Sequence, residues 1–341
     1  MSPVAIPAVT REFRLTKQTG IEALRLTQSS VPTIKDGEVL VKIHAVSLQY
    51  RDLIITNGTY PMGAGENIVP GSDCAGEVLS VGSNVKNFKP GDRVSANFAL
   101  EHIHGDIESE EQRATGLGGL IDGVLTECRT FPAYSLVKIP DYLSYEEAST
   151  LPCAALTAYN SLFGDIPLKG GDTVLVQGSG GVSVFALQIA RANGANVIAT
   201  TSSAQKAEVL KKLGATHVIN YKQTPKWDEE VLKLTNGRGV DHIVEVAGAG
   251  TILQSINALR YSGSIHSVGF LAHVTLLGKA VRLRGVLIGP RKQFENMNRL
   301  FDATKIKPVV DRVFAFEDYP QALQYLASQQ HVGKVVVKVT N

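Results

Sequence analysis

The chain is 341 residues long, 44% hydrophobic and 19% charged, with 32 glycines; that is enough for two domains with sizeable cores and excludes a disordered or fibrous chain. The formal net charge is +2, with lysine and arginine spread along the sequence, so there is no basic block for nucleic acid or a membrane surface. Cys74, Cys128 and Cys153 are too few and too scattered for a disulfide framework, and with neither a signal-peptide layout nor an apolar run of about 18 residues, a reduced, soluble, cytoplasmic protein is expected.

In chain order, residues 1–135 read as short strands broken by Gly/Pro turns. VLVKIHAVSL (39–48) and GEVLSVG (76–82) are β-branched and apolar, and KPGDRV (89–94) is a turn entering a strand. This part predicts a mainly antiparallel, barrel-like unit. The polar, turn-rich stretch 101–119 is expected to be a surface loop, with His102 and His104 a solvated pair.

From residue 172 the rhythm changes. DTVLVQ (172–177), NVIATT (196–201), HVIN (217–220), DHIVEV (241–246) and SIHSVG (264–269) read as strands, with helical segments such as 181–193 and 204–214 between them. Strand–helix alternation predicts a parallel sheet. After VLIG (286–289) the pattern gives two short helical stretches and a closing strand, KVVVKV (334–339), which returns to the first domain. The predicted domains are 1–150 with 290–341, and 151–289.

The strongest motif is Gly178-Ser179-Gly180-Gly181-Val182-Ser183, a G-x-G-x-x-G/A pattern with serine in the last small position. Gly178 permits a tight turn, Gly180 lets backbone approach a pyrophosphate, and Ser183 keeps the following helix close to its strand. The N–H groups and positive dipole end of that helix suit an anion. An ordinary tight turn is the alternative, but the motif closes a strand, opens a helix and precedes a second strand at the expected spacing.

The end of that second strand bears on the cofactor. An acid there would accept from a ribose 2′-hydroxyl, yet the sequence reads Thr200-Thr201-Ser202-Ser203 with Lys206 close behind. Thr201, Ser202 and Ser203 can donate to a 2′-phosphate and Lys206 adds charge, which favours NADPH. Alternatively, Ser202 or Ser203 caps the next helix and Lys206 is a surface lysine.

Taken together, VKIHAVSLQYRDL, VPGSDCAGEV, KPGDRV, LPCAALTAY, VQGSGGVS, LGATHVINY and GKVVVKV resemble the medium-chain dehydrogenase/reductase superfamily over nearly the full length. The resemblance implies an α/β chain, a GroES-like β-barrel domain plus a Rossmann doubly wound parallel sheet. The chain is most similar to the zinc-free quinone oxidoreductase branch. Zinc alcohol dehydrogenases carry a ligand cysteine where this chain has Gln49 and a ligand histidine where it has Ser72; Cys153 alone survives of three. The segment corresponding to their structural-zinc lobe, 96–119, has no cysteine.

The resemblance also implies cofactor contacts: Thr157 near the nicotinamide, Tyr221 against the 2′-phosphate, Ala247-Gly248 and Gly269-Phe270-Leu271 at the ribose and nicotinamide, and Lys334 near the cofactor. Tyr221 is otherwise a core residue and Lys334 a rim lysine. The implied chemistry is hydride transfer to a quinone or an α,β-unsaturated carbonyl. Tyr50, Arg51 and Tyr60 are the candidates for binding the oxyanion or returning the proton, with an Arg51–Asp52 structural ion pair as the alternative. Gln49 departs from the asparagine of several zinc-free relatives, and Cys153 reads as a small buried thiol. LRGVLIG (283–289) resembles an edge strand used for dimerisation, so a homodimer is expected, with a tetramer open. Two other functions stay open: a non-catalytic NADPH-binding structural or regulatory relative, and an alcohol dehydrogenase with rearranged zinc ligands.

Overall fold

The computed structural model describes residues 6–269 and 282–340. The chain divides into two compact units, Met1–Cys153 with Gly289–Asn341, and Ala154–Ile288. Fifteen strands are described, numbered in chain order. The first unit contributes β1 (Val9–Leu15), β2 (Leu24–Ser30), β3 (Glu38–Ser47), β4 (Asp73–Val81), β5 (Arg93–Ala96), β6 (Cys128–Pro132) and β7 (Leu136–Lys138). The second contributes β8 (Thr173–Gln177), β9 (Asn196–Thr201), β10 (His217–Asn220), β11 (Val240–Glu245), β12 (Leu259–Ser267) and β13 (Arg282–Gly285). β14 (Val310–Ala315) and β15 (Lys334–Lys338) return to the first unit.

In the first unit β1 and β2 pair antiparallel, and a larger sheet runs β14-β15-β3-β4-β5-β7 with β6 on β3. This is the GroES-like part. β3 is its organising strand: Val39, Val41, Ile43 and Val46 face a core shared with Phe13, Phe131, Val335 and Tyr319. Leu40 packs on the other side with Leu79 and Cys128. Gly76 of β4 has no alternative, because a Cβ there would lie 2.2 Å from the Lys42 carbonyl oxygen.

Three sequence expectations need correction here. The segment 101–119 is exposed or half-buried over most of its length, as a surface loop would be, but it is not loop throughout. It holds a short helix, Glu110–Ala114, capped by Ser109, and it buries Leu117 and His102. His102 is 4% exposed and its Nε2 bonds the Gly105 carbonyl, so of the expected solvated pair only His104 is exposed. The C-terminal segment contains β14, parallel to β15, which the sequence reading did not see. Its first helix is also long, Arg291–Thr304.

The second unit is a Rossmann-type sheet, all parallel, in the order β10-β9-β8-β11-β12-β13. The order reverses between β8 and β11, where such sheets open a crevice at the carboxyl ends of their strands. Continuous apolar runs, Val174–Val176 in β8 and Ile243–Val244 in β11, are fully buried, as expected of strands covered on both faces. Among the described residues β13 pairs with β12 alone and is the sheet's edge; it ends at Gly285, short of the predicted 283–289. Among the described residues, no helix is long and apolar enough to cross a membrane.

Candidate functional site

The glycine loop stands at the reversal point, on the end of β8. Gly178 takes φ +77°, a conformation that favours glycine, and its N–H donates to the Thr200 carbonyl at 2.8 Å. The helix Gly181–Ala192 starts directly after it, with Gly180 at the N-cap. Ser183 hooks back, its hydroxyl donating to the Gln177 carbonyl at 2.6 Å. A Cβ on Gly178 or on Gly180 would meet nothing within 4 Å. The bare backbone therefore faces open space over a helix N-terminus, as a dinucleotide pyrophosphate requires. Ser179 is buried, while Gly181 and Val182 are half-buried in the first turn.

At the end of β9, Thr200 and Thr201 are buried, Ser202 and Lys206 are half-buried and Tyr221 is exposed. Ser203 caps the helix Ala204–Lys212, accepting from Lys206 N at 3.2 Å, so its hydroxyl oxygen already has a structural partner. The Tyr221 N–H donates to the Thr201 carbonyl at 3.0 Å, holding the tyrosine beside the strand end. Thr157 is 2% exposed within the helix Leu156–Phe163.

The turn after β11 carries the residue that sequence reasoning missed. Glu245 is 0% exposed. One carboxylate oxygen accepts from the N–H of Ala247 (3.0 Å) and Gly248 (2.9 Å) and from the Thr251 hydroxyl (2.7 Å). The other accepts from Gln177 Nε2 (2.8 Å) and the Ser255 hydroxyl (2.5 Å). Gly269 lies against this turn, where a Cβ would come within 2.7 Å of the Val246 carbonyl oxygen and 2.9 Å of Gly248 N. Phe270 and Leu271 lie outside the described residues. An acid at a strand end carries no sequence signal of its own; only the following Val-Ala-Gly turn hints at it.

The first unit holds a second polar centre, around Asp73 at the start of β4. Asp73 is fully buried, and its carboxylate accepts from Ser72 Oγ (2.6 Å), Gln49 Nε2 (2.5 Å) and the Cys153 N–H (3.0 Å). Cys153 sits in one wide helical turn, Leu151–Ala155, whose π-type bonding leaves its N–H pointing at Asp73. Asp52 accepts from Gln49 N at 2.7 Å, its other oxygen having no partner. Lys334 enters from β15, 4% exposed, and donates to the Leu48 carbonyl. Its side chain is thus turned inward, toward two buried carboxylates. Burial pushes Asp73 up to about 6 even though the Lys334 charge opposes the shift. Burial also raises Asp52 and the Cys153 thiol and lowers Lys334.

The tyrosine–arginine group borders this centre. Tyr50 is 64% exposed at the first turn of the helix Tyr50–Thr56. The Arg51 guanidinium lies 4.9 Å from the ring centroids of both Tyr60 and Phe98, and Nη1 donates to the Leu117 carbonyl at 2.9 Å. Its Nε is buried without a partner. The Tyr60 hydroxyl is 3.9 Å from Met62 Sδ.

A catalytic zinc wants three protein ligands of the cysteine, histidine or carboxylate kind plus an open position. Gln49 and Ser72 are poor zinc ligands, and both are committed to Asp73. Among the described residues, no group of three or more His, Cys, Asp or Glu is placed to hold a metal ion. The donor set does not fit zinc.

Residues 35–141 match the family model described as alcohol dehydrogenase GroES-like domain, and 181–303 match the one described as zinc-binding dehydrogenase. A zinc-type alcohol dehydrogenase-like protein of Schizosaccharomyces pombe is 45% identical over 94% of this chain and 96% of its own length. An acryloyl-coenzyme A reductase of Metallosphaera sedula is 32% identical (90% and 93% covered), and the human quinone oxidoreductase 26% (92% and 92%). Among solved structures, an NAD-dependent alcohol dehydrogenase superposes with TM-score 0.87 at 31% identity, covering 97% and 100% of the two chains. A 2-octenoyl-CoA carboxylase reductase, solved with NADP and 2-octenoyl-CoA, superposes with TM-score 0.84 at 26% identity, covering 98% and 88%. By sequence and by fold, this chain belongs to the medium-chain dehydrogenase/reductase superfamily and is an oxidoreductase of that type.

Proposed function

We propose that the protein is an NADPH-dependent reductase that delivers hydride to a quinone or to an α,β-unsaturated carbonyl without zinc. The carrying observation is the Asp73 network, in which Gln49, Ser72 and Cys153 serve a buried carboxylate. Alcohol oxidation on this fold uses a metal to hold the alkoxide, whereas reduction of a conjugated carbonyl or quinone needs only positioned donors for the developing enolate. The quinone oxidoreductase and acryloyl-coenzyme A reductase among the relatives support this class. The absence of an acid among Thr200, Thr201, Ser202 and Ser203 supports NADPH.

A bound dihydronicotinamide would supply the hydride. In this reading the glycine loop and the helix Gly181–Ala192 hold the pyrophosphate, and Thr201, Ser202, Lys206 and Tyr221 hold the 2′-phosphate. Tyr50, Arg51 and Tyr60 supply donors to the substrate oxygen. The stacked Arg51 keeps its Nε–H unpartnered, and Tyr50 keeps an exposed ring. A homodimer through the β13 edge belongs to the same proposal.

The test titrates metal-analysed protein with NADPH and NADH, then follows nicotinamide absorbance with 1,4-benzoquinone, a simple enone and acryloyl-CoA. Tighter NADPH binding, acceptor-dependent oxidation and no stoichiometric zinc are expected. Preference for NADH would overturn the assignment at β9, and stoichiometric zinc would overturn the metal-free reading. Binding without oxidation of any acceptor would move the protein to a non-catalytic role.

A further inference from the structure

The buried carboxylate of Glu245 has five donors and, among the described residues, no cation paired with it. Isolated ions in a protein interior are costly unless hydrogen bonds satisfy them, so this one is held at the junction for what it ties together. Its donors come from three places: Gln177 at the end of β8, the Ala247–Gly248 turn with Thr251 after β11, and Ser255 on the helix Ile252–Ala258. The backbone carbonyl of Glu245 accepts from Val268 N (2.9 Å) and Gly269 N (3.1 Å), which adds the end of β12. Gln177 completes the link, its Oε1 accepting from Val246 N (3.3 Å) and Ala247 N (3.4 Å). β8 and β11 are the two strands between which the sheet order reverses. A dinucleotide lies across that reversal, one mononucleotide on each half of the sheet.

We propose that Glu245 is a positioning residue for the dinucleotide: through Gln177 it locks the phosphate-loop strand end to the Ala247–Gly248 turn and so fixes one half of the cofactor against the other. This rests on the nicotinamide-cofactor reading given above. The chemistry picks out a diagnostic substitution. In Glu245→Gln the amide oxygen keeps the three donors of the turn, which puts the new NH2 opposite Gln177 Nε2, donor against donor. Gln177 cannot rotate its amide to compensate without losing Val246 N and Ala247 N. The turn survives and the tie across the reversal breaks.

The experiment compares wild type and Glu245→Gln for affinity toward NADPH, NADH, adenosine 2′,5′-bisphosphate and ADP, with thermal unfolding as the control. Losing a hydrogen bond to a charged group predicts about tenfold to hundredfold weaker binding of the whole dinucleotide, with the adenine-side fragments essentially unchanged. Equal weakening of fragments and dinucleotide, or unchanged dinucleotide affinity, would overturn the proposal. If Glu245→Gln does not fold, Ser255→Ala removes one donor to the same oxygen, and the same contrast is expected at smaller amplitude. A wild type that binds neither dinucleotide would sink the cofactor reading, and the proposal with it; a wild type that binds while the contrast fails sinks the proposal alone.

Discussion

Acid should destabilise the second unit through one buried histidine pair. His242 Nδ1 and His266 Nε2 are 3.1 Å apart on neighbouring strands β11 and β12, and His242 Nε2 is 3.5 Å from Asp172 Oδ2. One ring must donate to the other, so protonating both nitrogens of each ring sets donor against donor. His266 is 1% exposed, and burial, with His242 and Arg284 adding to it, pushes it down to about 3. Burial lowers His242 too, against the raising effect of Asp172 and Asp241. A histidine lowered in the fold stays neutral there while the unfolded chain takes up a proton below about 6.5. Stability is therefore intact above that pH and falls as pH drops from about 6.5 toward 3. The slope for one group is about 1.4 kcal/mol per pH unit, so His266 alone removes about 3 kcal/mol between pH 6.5 and about 4.5. That is a large share of a typical domain stability of about 5–15 kcal/mol. Trp227, the single tryptophan, is 4% exposed in this unit's core, so its fluorescence reports the second unit. Urea titrations across this range, followed by that fluorescence, should show wild type losing about 3 kcal/mol more than His266→Asn. Parallel pH profiles for the two proteins would refute the reasoning.

Three further outcomes are expected. Gly180 has φ −75° and open space at its Cβ position, so Gly180→Ala should leave thermal unfolding unchanged while weakening nucleotide binding about tenfold, read by titration. Lys334→Met leaves Asp73 and Asp52 without their buried cation; about 3–5 kcal/mol should be lost near neutral pH. Because Asp73 is raised to about 6, the ionised form is the disfavoured one, and that loss should shrink in denaturation at about pH 5. Tyr50→Phe should keep the unfolding temperature, since the ring is exposed, whereas Arg51→Ala loses two ring contacts and the Leu117 bond and should lower it. A fall in kcat for Tyr50→Phe at unchanged stability would mark its hydroxyl as a donor.

Much of this was legible in the sequence, for physical reasons. The strands of the second unit are apolar runs set apart by helices, because both sheet faces are covered, and the glycine loop shows the positive-φ turn at Gly178 and the bare backbone at Gly180 directly as glycines. β14 escaped notice because VDRVFA is mostly exposed or half-buried and shows no apolar run. The segment 101–119 misled because its buried portion is held by backbone bonds and by glycines packed on Phe98 and Gly71, while its composition stays polar. For Lys334 the sequence left a cofactor contact and a rim lysine both open, because nothing local reveals that β15 lies beside β3 and carries the side chain under Leu48. Glu245 was invisible because its partner Gln177 lies 68 residues away.

The two polar centres differ in how they are built, and that difference bears on the reaction. The cradle of the second unit is mostly backbone: glycines, N–H groups and strand ends. Such a cradle can serve any nicotinamide enzyme of this fold. The first-unit centre is made of side chains, so reaction class has to be sought there. The single hydrogen of the Ser72 hydroxyl goes to Asp73, as does the Cys153 N–H. Neither can meet a substrate oxygen while Asp73 is ionised. Gln49 has given one of its two amide hydrogens to the same carboxylate. In the proposed reduction, the donors left for an enolate oxygen would be the second amide hydrogen of Gln49, the unpartnered Nε–H of Arg51 and the Tyr50 hydroxyl. Gln49 therefore joins Tyr50 and Arg51 as a candidate, since Asp73 fixes the orientation of its amide.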